Sequence, residues 1–294
     1  MRSELPPTER RLPESMELDS TDTLGVLRLL HEQDTVAVQA LEPLLPRIAA
    51  LVDEAADRMR RGGRVHYFGA GTSGRLGVLD AAELLPTYNI PPGRVVPHIA
   101  GGDAAIVNAV ENAEDSRAEG AAAAAEVGPD DVAIGLTASG TTPYVAAALE
   151  AARAKGAFTA LVSSNPASPI GREVDIDLPL DTGAEVITGS TRLKAGTAQK
   201  LVLNGFSTAL MVALGRTWSN LMVSVVATND KLRDRSVRIL CDATGLGPDA
   251  ARDALAAAGG DVKVALVAHL LGVTADAAAE RLEETGGSVR DAIR

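Results

Sequence analysis

Three short stretches of the chain combine glycine with hydroxyl side chains, and each of them precedes a segment of helical character. The first, residues 69–75, follows the apolar run at 65–68; the other two are residues 138–143 and 188–192. A strand, a glycine turn and a helix start together form an anion site, because free backbone N–H groups and the positive end of the helix dipole point to one place. The three stretches therefore predict a phosphate site.

The candidate phosphate ligands are the hydroxyl groups, backbone N–H groups and cations within or just after these stretches. They are Thr72, Ser73, Gly74, Arg75, Ser139, Gly140, Thr141, Thr142, Ser190, Arg192 and Lys194. Serine and threonine also cap helices at such positions, so each stretch taken alone fits a simple tight turn. Three of them in one chain favour a shared phosphate site.

The glycines at 69, 71 and 74 also fit the G-x-G-x-x-G spacing of dinucleotide-binding proteins. That function needs an acidic residue at the end of the second strand, about 20 residues further on. Asp103 lies near this position, but it follows two glycines and fits better as a helix cap. The hydroxyls of Thr72 and Ser73 and the cation of Arg75 favour a single phosphomonoester over a pyrophosphate.

Two glutamates occupy positions where helical periodicity calls for apolar side chains. Glu83 follows Leu76 and Leu79 at i+7 and i+4, and Glu114 follows Val107 and Val110 in the same way. Both are therefore expected on the core-facing stripe of a helix, where an ionised carboxylate is costly. A structural ion pair or a shifted helix register would account for them. Beside a phosphate site, paired carboxylates also suit general acid–base chemistry.

Composition excludes several classes of function. The chain has 294 residues, 46% of them hydrophobic, which is enough for a sizeable core. A net charge of −11 argues against nucleic-acid or anionic-membrane binding. The single cysteine, Cys241, is typical of a reducing compartment. There is no apolar leader at the start and no uninterrupted apolar run of about 18 residues. We therefore expect a cytoplasmic protein, and the scattered histidines predict no metal site.

The chain alternates strands with helices over its middle part. Strands are predicted at 64–68, 95–100, 131–137, 158–163 and 175–180, and helices between the first four at 74–88, 103–126 and 142–155. This alternation predicts right-handed βαβ units and a parallel sheet. A long helix is predicted at 191–214, and short helices at 248–258, 261–271 and 274–285.

Three regions follow from this pattern. Residues 1–60 are predicted to hold an extended arm over 1–22 and two helices at 23–34 and 36–60, with Pro43 and Pro46 bending or restarting the second. Residues 61–228 form the α/β domain, and residues 229–294 a small helical subdomain.

The same residues resemble those of the N-acetylmuramic acid 6-phosphate etherases. The matching stretches are GAGTSGRLGVL at 69–79, DAAE at 80–83, PTY at 86–88, IAGG at 99–102, ENAEDSR at 111–117, ASG at 138–140, TPY at 142–144 and GAEVITGSTRLKAGTAQK at 183–200. The last stretch is highly specific and is shared with the glucokinase regulatory proteins. The resemblance implies a sugar-isomerase-type (SIS) domain, a flavodoxin-like parallel sheet flanked by helices, with the small helical subdomain after it.

The resemblance also implies a reaction. Etherases of this family cleave the D-lactyl ether of N-acetylmuramic acid 6-phosphate to N-acetylglucosamine 6-phosphate and D-lactate during cell-wall recycling, by elimination followed by hydration. The acid–base pair of the family matches Glu83 and Glu114, with Glu83 as proton donor and acceptor and Glu114 as its partner. No metal, nucleotide or other cofactor is implied, and the expected partners are the sugar phosphate and a second copy of the chain in a homodimer.

One position departs from the family pattern. Many relatives have arginine where this chain has Thr141, and that substitution removes a cation beside the phosphate or the lactyl carboxylate unless a nearby arginine replaces it. Two other functions share parts of this pattern. One is a non-catalytic sugar-phosphate sensor resembling the glucokinase regulators, which are about twice as long. The other is an aldose–ketose isomerase, which abstracts the same C2 proton.

Overall fold

A five-stranded parallel sheet forms the centre of the protein in the computed structural model, which describes residues 5–225 and 230–294. The strands are β1 (Val65–Gly69), β2 (Val95–Ile99), β3 (Val132–Thr137), β4 (Phe158–Ser163) and β5 (Ile176–Pro179). Their order across the sheet is β2-β1-β3-β4-β5. All five lie within a residue or two of their predicted positions, so the prediction of a flavodoxin-like parallel sheet is confirmed.

The order of the strands reverses direction between β1 and β3. Gly69 at the end of β1 is paired with both Ile99 and Leu136, so the segments that follow β1 and β3 leave the same edge of the sheet side by side. Ligands of open parallel sheets bind at such a switch point, outside the carboxyl ends of the strands. The first two hydroxyl-bearing stretches of the sequence lie there.

Helices cover both faces of the sheet. They are α1 (Thr23–Gln39), α2 (Leu45–Arg60), α3 (Gly71–Tyr88), α4 (Ala104–Val107), α5 (Arg117–Ala123), α6 (Pro143–Ala154) and α7 (Lys194–Ala213). On one face, Phe68 and Leu161 pack with Tyr144 and Leu149 of α6 in a buried core. On the other, α3 lies so close that a Cβ on Gly77 would be 3.0 Å from Cδ1 of Leu136.

The single helix predicted over 103–126 is wrong. The structure has only the short α4, a 3₁₀ turn at Ala113–Asp115 and the short α5. Arg75 explains part of the break, because its Nε donates to the carbonyl of Ile106 at 2.9 Å and its Nη2 to that of Asn108 at 2.8 Å. Asn112 adopts a left-handed conformation with φ +60° and turns the chain once more before the 3₁₀ turn.

The N-terminal region also differs from the prediction. The arm over 1–22 is not extended in its described part but forms three 3₁₀ turns, Pro7–Glu9, Pro13–Ser15 and Leu18–Ser20; residues 1–4 lie outside the described residues. The break predicted between 34 and 36 is wrong, because α1 continues to Gln39, but the restart at the prolines is confirmed. A 3₁₀ turn at Glu42–Leu44 separates α1 from α2, which has Pro46 in its first turn.

Among the described residues, 23–60 form a helical stretch with the length and apolar composition to cross a membrane, and 28% of its most apolar part is buried in the protein. Pro248–Ala257 and Val262–Leu271 have these properties as well only if the two helices, bent by 106°, are counted as one span.

By contacts the chain divides into two compact units. The described residues up to Ala81 belong with Gly93–Ser207, and Ala82–Pro92 belongs with the described residues after Thr208. The second unit contains α8 (Asp230–Thr244), α9 (Pro248–Ala257), α10 (Val262–Leu271), α11 (Ala275–Glu284) and α12 (Val289–Ala292). The three predicted short helices and the helical character of the C-terminal part are confirmed. The boundary predicted at 228 lies outside the described residues.

A charged side chain holds the second unit together. Lys263 on α10 is only 9% exposed, and its ammonium donates to the carbonyl of Gly215 at 2.9 Å and to that of Gly287 at 2.6 Å. Burial lowers the pKa of Lys263 to about 8, with Arg216 contributing. The lysine thus donates to the carbonyl groups of Gly215 and Gly287, which lie outside helices and have no partner of the helical kind.

Candidate functional site

The first hydroxyl-bearing stretch is the start of α3. Strand β1 ends at Gly69 and α3 begins at Gly71, so Thr72, Ser73 and Gly74 occupy its first turn. The first backbone N–H groups of a helix have no partner within it and can bind an anion. Gly74 donates to the carbonyl of Ala70, and a Cβ on Gly74 would lie 2.8 Å from the oxygen of Gly69. The glycine spacing is therefore explained by the close approach of α3 to β1.

Helix α7 meets this first turn of α3. Ser73 is 7% exposed, and its Oγ donates to Oε1 of Gln199 at 2.8 Å. One turn earlier on α7, a Cβ on Gly196 would lie 3.6 Å from Cγ2 of Thr72. The structure thus brings the first predicted stretch against α7, the helix that follows the third stretch, through Ser73 and Gln199, which are 126 positions apart in the sequence.

Arg75 is engaged with the chain itself. The two hydrogen bonds of its guanidinium to residues 106 and 108 hold the irregular segment that leads to Glu114. Arg75 therefore positions backbone beside the first turn of α3, and its contact with phosphate stays a prediction.

The second stretch, between β3 and α6, forms a compact network of hydroxyl groups. Thr137 at the end of β3 contacts Thr142 at 2.7 Å and Ser139 at 3.4 Å, and the hydroxyl of Thr141 donates to Oγ of Ser139 at 3.0 Å. Gly140 has φ +72°, and a Cβ there would lie 2.7 Å from Ser168. Only glycine fits this turn.

Two further side chains, from the segment that follows β4, hold the turn between β3 and α6. Nδ2 of Asn165 donates to the carbonyl of Ser139 at 2.8 Å, and Oγ of Ser168 donates to that of Gly140 at 2.7 Å. Neither residue is among the ligands predicted from the sequence. Their signal is weak, because a serine and an asparagine after a strand fit any turn.

A cavity of about 690 Å³ lies beside the second stretch, where Thr141 replaces the arginine of many relatives. Arg117 and Arg153 line it together with Thr141. Arg117 forms an ion pair of 2.5 Å with Glu150, and Arg153 donates to the carbonyl of Glu173. Two arginines are thus near Thr141, and each has a partner within the protein.

The third stretch leads into α7, and a buried carboxylate caps that helix. Glu185 is fully buried, and its two oxygens accept from the backbone N–H of Lys194 at 3.0 Å and of Ala195 at 2.9 Å. Burial raises the pKa of Glu185, and these two hydrogen bonds oppose that shift. The positive, N-terminal end of the α7 dipole is therefore already neutralised by the Glu185 side chain. Glu185 is not among the residues predicted for the site, although it lies in the most specific matching stretch.

The other predicted ligands of the third stretch differ in position. Ser190 is half-buried and Arg192 is exposed. Lys194 is 3% exposed, and its ammonium donates to Oε1 of Gln33 on α1 at 2.6 Å. The structure therefore places the lysine charge against α1, while Ser190 and Arg192 remain at the surface of the turn.

Both candidate catalytic glutamates are exposed, so the prediction that they face the core is wrong. The buried residues of α3 are Ser73, Gly74, Gly77, Asp80 and Leu84, which leaves Leu79 54% exposed and Glu83 in solvent. Glu114 belongs to the 3₁₀ turn and not to a long helix.

Asp80 is the buried carboxylate of α3. Its oxygens accept from the hydroxyls of Tyr67 at 3.0 Å and Ser207 at 2.9 Å, and from Nδ2 of Asn204 at 3.3 Å. Burial raises the pKa of Asp80, and the three hydrogen bonds oppose the shift. This network joins α3 to β1 and α7, and so fixes the helix that carries both the first stretch and Glu83.

The histidines make no metal site among the residues described. His66 contacts His98 at 3.0 Å and Asp131 at 3.3 Å, but no group of three or more His, Cys, Asp or Glu side chains in residues 5–225 and 230–294 is arranged to hold a metal ion. Burial lowers the pKa of His66, and it lowers the pKa of His98 to about 4. Both rings are therefore neutral at pH 7 and carry no charge for an anion.

Comparison with known proteins decides the family. Residues 47–153 match the family described as the glucokinase regulatory protein N-terminal SIS domain, and residues 106–209 match the SIS domain. A protein of Thermobifida fusca named N-acetylmuramic acid 6-phosphate etherase is 54% identical over 264 residues, 90% of this chain and 87% of that protein. The chain belongs to the N-acetylmuramic acid 6-phosphate etherase family.

Other etherases of the family are similarly related. The etherases of Deinococcus radiodurans and Salmonella typhi are 51% and 48% identical to this chain, each over 267 residues and 90% of the chain. They are covered to 88% and 90% of their own lengths. Among solved structures, a phosphoheptose isomerase from Francisella tularensis has a TM-score of 0.54 at 20% identity, covering 65% of this chain and 100% of that one. This likeness confirms the SIS fold.

Proposed function

We propose that this etherase-family protein cleaves the D-lactyl ether of N-acetylmuramic acid 6-phosphate and releases N-acetylglucosamine 6-phosphate and D-lactate. The observation that carries the proposal is 54% identity over 90% of the chain to a protein named for this activity. The hydroxyl-rich turns at the switch point of the sheet support it, because they form the kind of surface that holds a phosphomonoester.

The phosphate is proposed to lie against the first turn of α3 and the turn after β3. Backbone N–H groups at 71–73 and the hydroxyls of Thr72 and Ser139 supply donors there. The hydroxyls of Ser73 and Thr141 belong to the proposed set as well, but in the structure they donate to Gln199 and Ser139 and must turn to reach the phosphate. Ser190 and Arg192 of the third stretch complete the proposed set from the start of α7. A net charge of −11 does not oppose this, because hydrogen-bond donors at short range outweigh distant surface charge.

The chemistry is assigned to Glu83 and Glu114. In the open-chain sugar, the C1 aldehyde acidifies the C2 proton, and the lactyl oxygen on C3 lies β to that position. A carboxylate takes the C2 proton, the C3–O bond breaks, and lactate leaves as its oxygen receives a proton from a carboxylic acid. Water then adds across the C2–C3 double bond, with hydroxide on C3 and a proton on C2.

Two further properties are proposed along with the activity. The protein works as a homodimer in the cytoplasm, with no membrane or nucleic-acid partner. A second copy would have exposed apolar side chains to cover, since Leu79 is 54% exposed and Val107 is 84% exposed.

The test is to incubate the full chain with N-acetylmuramic acid 6-phosphate and measure D-lactate. We expect lactate and N-acetylglucosamine 6-phosphate in equal amounts. Glu83→Gln and Glu114→Gln are each expected to lower kcat by about 10²–10⁴-fold while product binding remains. Glu111→Gln, an exposed glutamate in the same segment as Glu114, is the matched control and should keep its activity.

Two results would refute the proposal. Binding of the sugar phosphate without lactate release would support a sensor. Conversion of a phosphorylated aldose to a ketose without lactate would support an isomerase.

A further inference from the structure

Gln199 of α7 is a buried amide whose hydrogen bonds are incomplete. It is 1% exposed, and its Oε1 accepts from Oγ of Ser73 at 2.8 Å. Its Nε2 is buried and has no hydrogen-bond partner among the described residues. A buried N–H group without an acceptor is rare in folded proteins, so this side chain needs an explanation.

The position of the amide matters for Ser73 because a serine hydroxyl has a single proton. When that proton is donated to Oε1 of Gln199, only the lone pairs of Oγ are left for an anion at the first turn of α3. Lone pairs repel phosphate oxygens. In this arrangement Ser73 cannot act as a donor to phosphate.

A half-turn of the amide about its last bond exchanges Oε1 and Nε2 and moves no other group. Nε2 then donates to Oγ of Ser73, and the serine proton becomes available for another acceptor. Before the half-turn, both N–H groups of Nε2 lack an acceptor. After it, one of them donates to Ser73, and the amide oxygen Oε1 loses its donor instead. Buried carbonyl oxygens without a full set of partners are less rare than orphaned N–H groups.

We propose that Gln199 is a positioning residue of the phosphate site, which donates from Nε2 to Oγ of Ser73 and thereby directs the Ser73 hydroxyl proton to the phosphate. The inference rests on the proposed function, since it assumes that a sugar phosphate lies at the first turn of α3. It adds a residue of α7, beyond the third stretch, to the machinery of the first stretch.

The experiment compares two nearly isosteric substitutions by calorimetric titration with N-acetylglucosamine 6-phosphate. Gln199→Glu places at this position a carboxylate that only accepts, so Ser73 must donate to it. Gln199→Met neither donates nor accepts, so the serine proton stays free. We expect affinity to fall by about 10- to 100-fold for Gln199→Glu and by no more than about threefold for Gln199→Met.

Two further readouts separate positioning from packing. In the Ser73→Ala background, Gln199→Glu should cause almost no further loss, because the donor that it withdraws is already absent. Between about pH 8 and about pH 5.5, the loss for Gln199→Glu relative to wild type should shrink, because burial at this position raises the pKa of the introduced carboxyl group, which can donate once it is protonated. KM should follow the affinities while kcat changes little.

Equal losses for the two folded variants, or additive losses in the Ser73→Ala background, would overturn the proposal. If Gln199→Glu does not fold, the decision passes to Gln199→Met, for which a loss of about tenfold or more would refute it. Failure of the wild-type protein to bind N-acetylglucosamine 6-phosphate would instead refute the proposed function.

Discussion

The buried carboxylate of Glu185 is expected to control the shape of the third stretch and therefore substrate binding. Glu185→Gln keeps the size of the side chain but replaces one oxygen by an NH₂ group. The carboxylate accepts hydrogen bonds from the backbone N–H groups of Lys194 and Ala195, at 3.0 and 2.9 Å. In the variant, one of these N–H groups faces the new NH₂ group, which is itself a donor. The first turn of α7 loses that bond, and the turn carrying Ser190 and Arg192 loosens.

The magnitude follows from these two contacts. A hydrogen bond to a charged group contributes about 1.5–3 kcal/mol. Burial raises the pKa of Glu185, so part of this is offset when the buried charge is removed. We expect Glu185→Gln to lower the free energy of unfolding by about 1–2 kcal/mol. Glu185→Ala leaves both N–H groups without acceptors and opens a cavity, so it should cost about 4 kcal/mol.

Two assays check this. Urea denaturation gives the free energy of unfolding, and lactate release gives KM and kcat. KM should rise several-fold for Glu185→Gln with kcat nearly unchanged, because the turn holds substrate and takes no proton. Asp181→Asn is the matched control, as it removes an exposed carboxylate from the same segment, and its stability should stay within about 0.5 kcal/mol of wild type.

The reasoning would be refuted by a Glu185→Gln protein as stable as wild type, or by one whose kcat falls while KM stays constant. The first result would mean that the two N–H groups do not depend on the carboxylate. The second would mean that Glu185 takes part in proton transfer.

Three other perturbations follow from the structure. Burial holds the pKa of His98 at about 4, against 6.5 for a free histidine, so the folded state binds fewer protons than the unfolded state and the free energy of unfolding should fall by up to about 3 kcal/mol as the pH drops from 6.5 to 4. In His98→Phe, which retains the stack on Phe68, urea titrations should show a smaller loss over this pH range. An equal loss in the variant and the wild type would contradict this. Asp80→Ala removes the acceptor of three donors and should cost about 3–5 kcal/mol, against about 1 kcal/mol for Asp80→Asn; thermal unfolding that ranks them equally would refute the network. Lys263→Met should lower the free energy of unfolding by about 1–3 kcal/mol, since two carbonyl groups lose their donor; an unchanged denaturant midpoint would show that they find water instead.

The sheet and its loops could be predicted because their signals are local. β4 is a run of apolar and β-branched residues bounded by turns, and its predicted range, 158–163, coincides with the structure. The hydroxyl-rich turns after β1 and β3 follow from the alternation of strands and helices. Parallel strands must bring their carboxyl ends to one edge.

The face of α3 could not be predicted because its buried residues include a single large apolar side chain, that of Leu84. Gly74 and Gly77 are buried by close contact with β1 and Leu136, and Asp80 by its hydrogen bonds. Glycine and aspartate count as neutral or polar in a hydrophobic pattern, so the pattern placed Leu79 and Glu83 on the core-facing stripe instead. The missed cap at Glu185 has a similar cause, since its bonds cross nine and ten residues of irregular chain.

The most direct test of the central claim follows the oxygen atoms of the reaction. N-Acetylmuramic acid 6-phosphate is incubated with the protein in ¹⁸O-water, and both products are analysed by mass spectrometry. Elimination followed by hydration predicts that lactate leaves with the unlabelled ether oxygen and that the label appears at C3 of N-acetylglucosamine 6-phosphate. Label in lactate with none at C3, or no lactate from the folded protein, would contradict the account.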